Sequence, residues 1–216
     1  MKILILGADG KLGRMLVNDA ISAGYSVATM TRQPFEDATV ENIVGAPEKI
    51  DELKKAVNGV DMIISALGAK DPETLLKMAK NIASVAKEHN IPLIWSGGSG
   101  TLIDNQGKTL ATDPNVVWDS PMYKMLKPAV FGAKLVLEYL PTVAGLKYVY
   151  VSPPIDLMLD RTKTTYKWEI SDKALYNAQG QSICGYQTLA QAEIDLIKEF
   201  NQYENHRITL VETETL

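Results

Sequence analysis

One cysteine, Cys184, in 216 residues excludes an intramolecular disulfide and leaves no partner thiol for a thiolate metal cluster. A reducing compartment fits such a chain, and a cytoplasmic setting is expected. Histidine is nearly as scarce. His89 falls at the end of a helical stretch, where it suits the dipole, and His206 lies near the last strand. Neither has a neighbour suited to a metal or nucleophile site, so both are read as structural and no metal is expected. Lysine and arginine form no run, and the net charge is -4. Duplex binding depends on clustered cations that displace counterions, so nucleic acid is not expected as a partner. Long apolar runs are also missing. The stretch after Lys2 stops at Gly7, too short for a secretory core or a membrane span, so Met1 is expected to begin the folded domain.

What remains is ordinary globular composition, 46% hydrophobic and 22% charged. There is no repeat, low-complexity tract or linker, and the length suits one core. A single domain over 1–216 is expected, with a small substrate-side portion at about 153–216. Lys2 to Leu6 is a continuous apolar run that reads as a strand buried on both faces. A helical pattern from Leu12 to Ala23 ends at Gly24, and a second strand follows near Ser26 to Met30. The alternation continues with strands at Glu41 to Val44, Asp61 to Ser65, Ile91 to Trp95 and Leu146 to Val151. Helices are expected from Pro47 to Asn58, after the Asp71-Pro72 and Ser120-Pro121 start signals, and from Thr188 to Phe200. Tyr166 to Asn177 suggests a hairpin, and Arg207 to Val211 an edge strand. This order predicts an α/β fold, a Rossmann-like doubly wound parallel sheet of six to seven strands with helices on both faces.

Ligands of such sheets bind beyond the carboxyl ends of the strands. The first such turn is Gly7-Ala8-Asp9-Gly10-Lys11-Leu12-Gly13, spaced GxxGxxG between a strand and an amphipathic helix. Gly7 permits the tight turn, Gly10 lets a pyrophosphate approach the backbone, and Gly13 lets helix and sheet pack closely. That context points to a dinucleotide. At the end of the second strand stand Thr31-Arg32-Gln33, where an NAD-selective site usually places a carboxylate for the ribose hydroxyls. A cation suits a 2′-phosphate, and Lys11 could add a second charge, so NADP(H) is favoured over NAD(H). Ser65-Ala66-Leu67-Gly68 ends the fourth strand with small residues that would let a dinucleotide lie close, though a plain turn explains them nearly as well.

With these pieces in order, the chain resembles the atypical short-chain dehydrogenases, and within them the NmrA-like group that includes NADH-flavin reductase-like and biliverdin reductase B-like proteins. The resemblance is carried by GADGKLG at 7–13, TRQP at 31–34, SALG at 65–68, GGSGTL at 97–102 and KYVYVSPP at 147–154. GGSGTL looks like the GGAGSL turn of the flavin reductase-like branch. The resemblance implies dinucleotide contacts from Asp9, Leu12, Gly97, Gly98 and Pro153, and a hydroxyl near the chemistry from Ser99 or Thr101. Two positions depart from the pattern. Gly45-Ala46 replaces the usual Gly-Asp after the third strand, removing a carboxylate near the adenine, and Thr101 stands where the related turn has Ser.

Tyr123 and Lys127 spell the YxxxK of ordinary short-chain dehydrogenases. Pro128 follows directly and disfavours helical geometry at Lys127, so the two side chains are not expected to share a face. Counting back from Pro153 instead places Lys134 where relatives carry the helix lysine, and Val130 stands four residues before it. YxxxK is therefore read as coincidental, with Lys134 the ribose contact and Tyr123 a candidate for the substrate pocket. Trp118, Trp168, Ile155 and Met158 could wall that pocket or simply pack in the core. The resemblance implies hydride transfer from NADPH to a planar acceptor such as a flavin or quinone; the alternative is a non-catalytic NADP-binding sensor. The expected partner is a small molecule, with no membrane association, and the protein is expected to be a monomer or homodimer.

Overall fold

The computed structural model describes residues 1–35, 37 and 39–213. Eight strands form one sheet in the order β3-β2-β1-β4-β5-β6-β10-β8. These are β1 (Lys2–Leu6), β2 (Ser26–Thr31), β3 (Glu41–Val44), β4 (Met62–Ser65), β5 (Leu93–Ser96), β6 (Tyr148–Ser152), β8 (Tyr166–Ile170) and β10 (His206–Glu212). All neighbours are parallel except β10 and β8. Two short strands, β7 (Asp156–Met158) and β9 (Ile183–Gly185), pair in parallel beside it.

Continuous apolar strands need cover on both faces, and the helices supply it. Leu4 and Leu6 point into a core with Leu53 of α2 (Ile50–Ala56), Ile82 of α3 (Pro72–Glu88) and Val136 of α4 (Pro121–Tyr139). Ile3 and Ile5 point the opposite way, against Leu16 of α1 (Lys11–Ser22) and Ile194 of α5 (Tyr186–Tyr203). The start signals work as expected at α3, where the Asp71 carboxylate accepts from the Thr74 amide at 2.9 Å and Pro72 opens the helix. At α4, Ser120 and Pro121 mark the start, but the serine side chain makes no capping bond.

Three expectations change. The sheet has eight strands rather than six or seven. The segment after Tyr166 is no hairpin: β8 pairs antiparallel with β10, and the chain beyond Ile170 leaves the sheet. β10 is not an edge strand, because it lies between β6 and β8 with Ile208, Leu210 and Val211 buried. Its run Ile-Thr-Leu-Val reads alike in either place, and only pairing with a strand 40 residues upstream decides it. Among the described residues no helix is long and apolar enough to cross a membrane.

Candidate functional site

The order of strands reverses between β1 and β4, so the turns leaving these two strands diverge and open a crevice. A cavity of about 760 Å³ lies there, lined by Gly7, Asp9 and Gly10 after β1, Thr31 and Arg32 at the end of β2, and Ala66, Leu67 and Gly68 after β4. The glycine turn has the build a dinucleotide requires. Gly7 sits at φ +81, and a Cβ on Gly13 would run into the Gly7 carbonyl, so helix and turn pack at a distance only glycine allows. No side chain caps α1, and its first-turn amides are left for an incoming anion. Arg32 is exposed in the cavity wall.

Four of the residues read as cofactor contacts line neither this cavity nor the one beside it. Lys11 is exposed on the first turn of α1, Leu12 is half-buried, Gly13 is buried beneath the turn, and Ser65 is fully buried with no hydrogen-bond partner for its hydroxyl. Conversely, Gly45, Pro47 and Glu48 after β3 and Lys70, Asp71 and Thr74 after β4 line the first cavity unannounced. The rule that ligands sit beyond strand ends could have singled out both turns. Glu48 brings a carboxylate to this wall, and one of its oxygens is buried with no hydrogen-bond partner.

A second cavity of about 340 Å³ adjoins the first and shares Leu67, Gly68 and Ala69 with it. Gly97, Gly98, Ser99 and Pro153 line it. The GGSG turn is fixed from beneath by Tyr150: its ring fills the space a Cβ on Gly97 would need, the Gly98 amide donates to its hydroxyl at 3.3 Å, and that hydroxyl donates to the Ala133 carbonyl at 3.0 Å. Burial pushes the Tyr150 hydroxyl up to about 12, so it stays protonated and structural. Thr101 is turned away from both cavities. Arg207 of β10 donates to its hydroxyl at 2.9 Å, to its carbonyl at 3.3 Å, and to the Ser152 hydroxyl at 2.9 Å.

The remaining catalytic candidates do not converge on the cavity. α4 runs unbroken through Pro128, with Tyr123 half-buried against Trp118 at 5.9 Å between ring centroids and Lys127 exposed. Trp118 also packs on Phe131, Trp168 donates to the Tyr203 hydroxyl at 2.8 Å, and neither tryptophan lines either of these two cavities. Lys134 is ion-paired with Glu138 at 2.6 Å. Ile155 does line the second cavity, whereas Met158 does not. Cys184 is buried and its thiol is pushed well up by burial, which leaves it inert. Among the described residues no group of His, Cys, Asp and Glu could hold a metal ion.

The family profile described as NAD(P)H-binding matches residues 7–194, from the first glycine of the turn to the middle of α5. The chain belongs to the NAD(P)H-binding family. Its likeness to the atypical short-chain dehydrogenases rests on the same residues. It is 24% identical to the uncharacterized protein YwnB of Bacillus subtilis, over 98% of each chain. It is 25% identical to isoflavone reductase homolog P3 of Arabidopsis thaliana over 86% of this chain, and spans 63% of that longer protein. Among solved structures, a Streptococcus pneumoniae protein provisionally described as an NADH-flavin reductase superposes with a TM-score of 0.83 at 25% identity, covering 99% of this chain and all of the other.

Proposed function

We propose that this protein is an NADPH-dependent oxidoreductase whose second cavity receives a planar acceptor such as a flavin or quinone. The observation that carries this reading is continuity: Leu67, Gly68 and Ala69 belong to both cavities, so a ligand held at the glycine turn can extend into the second without leaving the protein wall. When bound, the dinucleotide supplies a hydride at its nicotinamide end. The residues of the chain bind and orient. Gly7, Gly10 and the uncapped amides of α1 hold the pyrophosphate, and Arg32 meets the 2′-phosphate. Gly97, Gly98 and Pro153 form the wall of the acceptor end; of the two serines there, Ser96 donates to Glu193, and the Ser99 hydroxyl can pass on a solvent proton. Residues of the C-terminal portion, Ile155 and Leu157, complete that wall, which supports a single domain with its acceptor side near 153–216.

One observation favours a second reading, an NADP-binding regulatory protein without turnover: among the described residues no titratable side chain lines the second cavity. Both readings share the dinucleotide, so the deciding measurement is NADPH oxidation with flavin mononucleotide, quinones and biliverdin. Turnover with one of them is expected, and tight binding with none would overturn the enzyme. In the same preparation, Arg32→Ala should weaken NADPH at least about tenfold more than NADH, the scale of one charge-assisted hydrogen bond. An equal effect on both would refute the 2′-phosphate contact.

A further inference from the structure

The two cavities divide charge unevenly. Asp9, Arg32, Glu48, Lys70 and Asp71 all stand in the wall of the first. The second, among the described residues, has no charged side chain in its wall. Of the charges nearest to it in the chain, Lys70 and Asp71, which follow the shared Ala69, stand in the wall of the first cavity, and the others are outside both walls. On α4 the cavity-facing residues Leu126, Ala129, Val130 and Ala133 follow helical spacing, and Lys127 and Lys134 each lie one position further round the helix. Lys127 is exposed, and Lys134 is held by Glu138. Strand alternation on β7 turns Asp156 away from the face of Leu157. Arg207 is engaged by Thr101, Ser152 and Asp172.

Leu126 and Ile155, which line the cavity, are each 43% exposed, so apolar side chains stand where the wall meets solvent. An anionic phosphate or carboxylate entering this wall would lose water and find no cation, and burial of an unpaired charge costs more than apolar contact returns. A volume of about 340 Å³ is also small for a ligand pocket. Resting on the reading of the first cavity as the dinucleotide site, we infer that the second cavity selects small, uncharged, largely apolar planar carbonyl compounds and excludes anionic acceptors such as flavin mononucleotide or a tetrapyrrole dicarboxylate. With a p-quinone the reaction balances: two electrons and one proton pass from the reduced dinucleotide, a second proton comes from solvent, and the products are hydroquinone and oxidised dinucleotide.

The test compares 1,4-naphthoquinone with 1,4-naphthoquinone-2-sulfonate, which share a ring system and differ by one charge. Binding is measured by equilibrium dialysis, with and without saturating NADP+, so that no turnover is needed. The neutral quinone should bind at least about tenfold more tightly. Leu126→Lys, at an exposed position that spares the fold, should raise sulfonate affinity and narrow that ratio. Equal or tighter binding of the sulfonate to the unaltered protein, binding of neither quinone, or an unchanged ratio in Leu126→Lys would each overturn the inference. NADPH binding followed separately by its fluorescence reports on the dinucleotide site. Loss of that signal with quinone selectivity intact would sink the proposed function and leave the charge selectivity standing.

Discussion

Glu193 is fully buried on α5 and has one hydrogen-bond partner, the Ser96 hydroxyl at 2.6 Å; its second oxygen has none. Burial pushes its carboxyl up to about 8 from an ordinary 4.5, with the Ser96 bond opposing the shift. The folded state therefore keeps a proton that the unfolded chain releases, and stability falls as pH rises from about 4.5 to about 8, then levels off. Glu193→Gln keeps the shape and removes the titration. Its melting temperature should match the parent near about pH 5 and exceed it by more than about 3 °C near about pH 8.5. Curves that stay parallel would show that Glu193 does not carry this dependence. Nothing in the sequence around Gln191-Ala192-Glu193 marks this carboxylate as different from the half-buried Asp195 and Glu199 on the same helix. Arg32 was legible for the opposite reason: its place at the end of a strand after a glycine turn is a local matter, and the fold puts it in the cavity wall.

The helix α4 shows how far an element can be read. Its start at Ser120-Pro121 and its length were visible, but Pro128 does not break it. Packing rather than the proline sets the place of Tyr123: the ring lies against Trp118, which in turn packs on Phe131 at 4.8 Å. Tyr123→Phe preserves that stack and removes only the hydroxyl, so turnover with any working acceptor should change by less than about twofold, under half a kcal/mol. A loss of several orders of magnitude would restore the YxxxK pair. Lys134, expected as the ribose contact, is held on the helix surface by its i,i+4 partner Glu138. Register is a property of sequence, and side-chain direction is a property of neighbours.

Across the whole molecule, the strand that most alters the expected picture is β10. It joins the parallel β6 to the antiparallel β8, and through Arg207 it anchors the turn that walls the second cavity. A chain truncated after Asn205 should therefore lose cooperative unfolding and dinucleotide binding together, measured by thermal melts and NADPH fluorescence. Loss of a true edge strand would leave both largely intact, and that result would contradict the topology. The sequence by itself determined the alternation of strands and helices, the glycine turn that opens α1, the cap at Asp71 and the placing of Arg32, because periodicity and turn chemistry act between residues a few positions apart. Only the tertiary structure decided that Thr101 turns to Arg207, that Ser99 faces the cavity, that Glu193 is buried and that β10 lies inside the sheet. Each of these depends on contacts between segments distant in the chain, and no local pattern records which segments will meet.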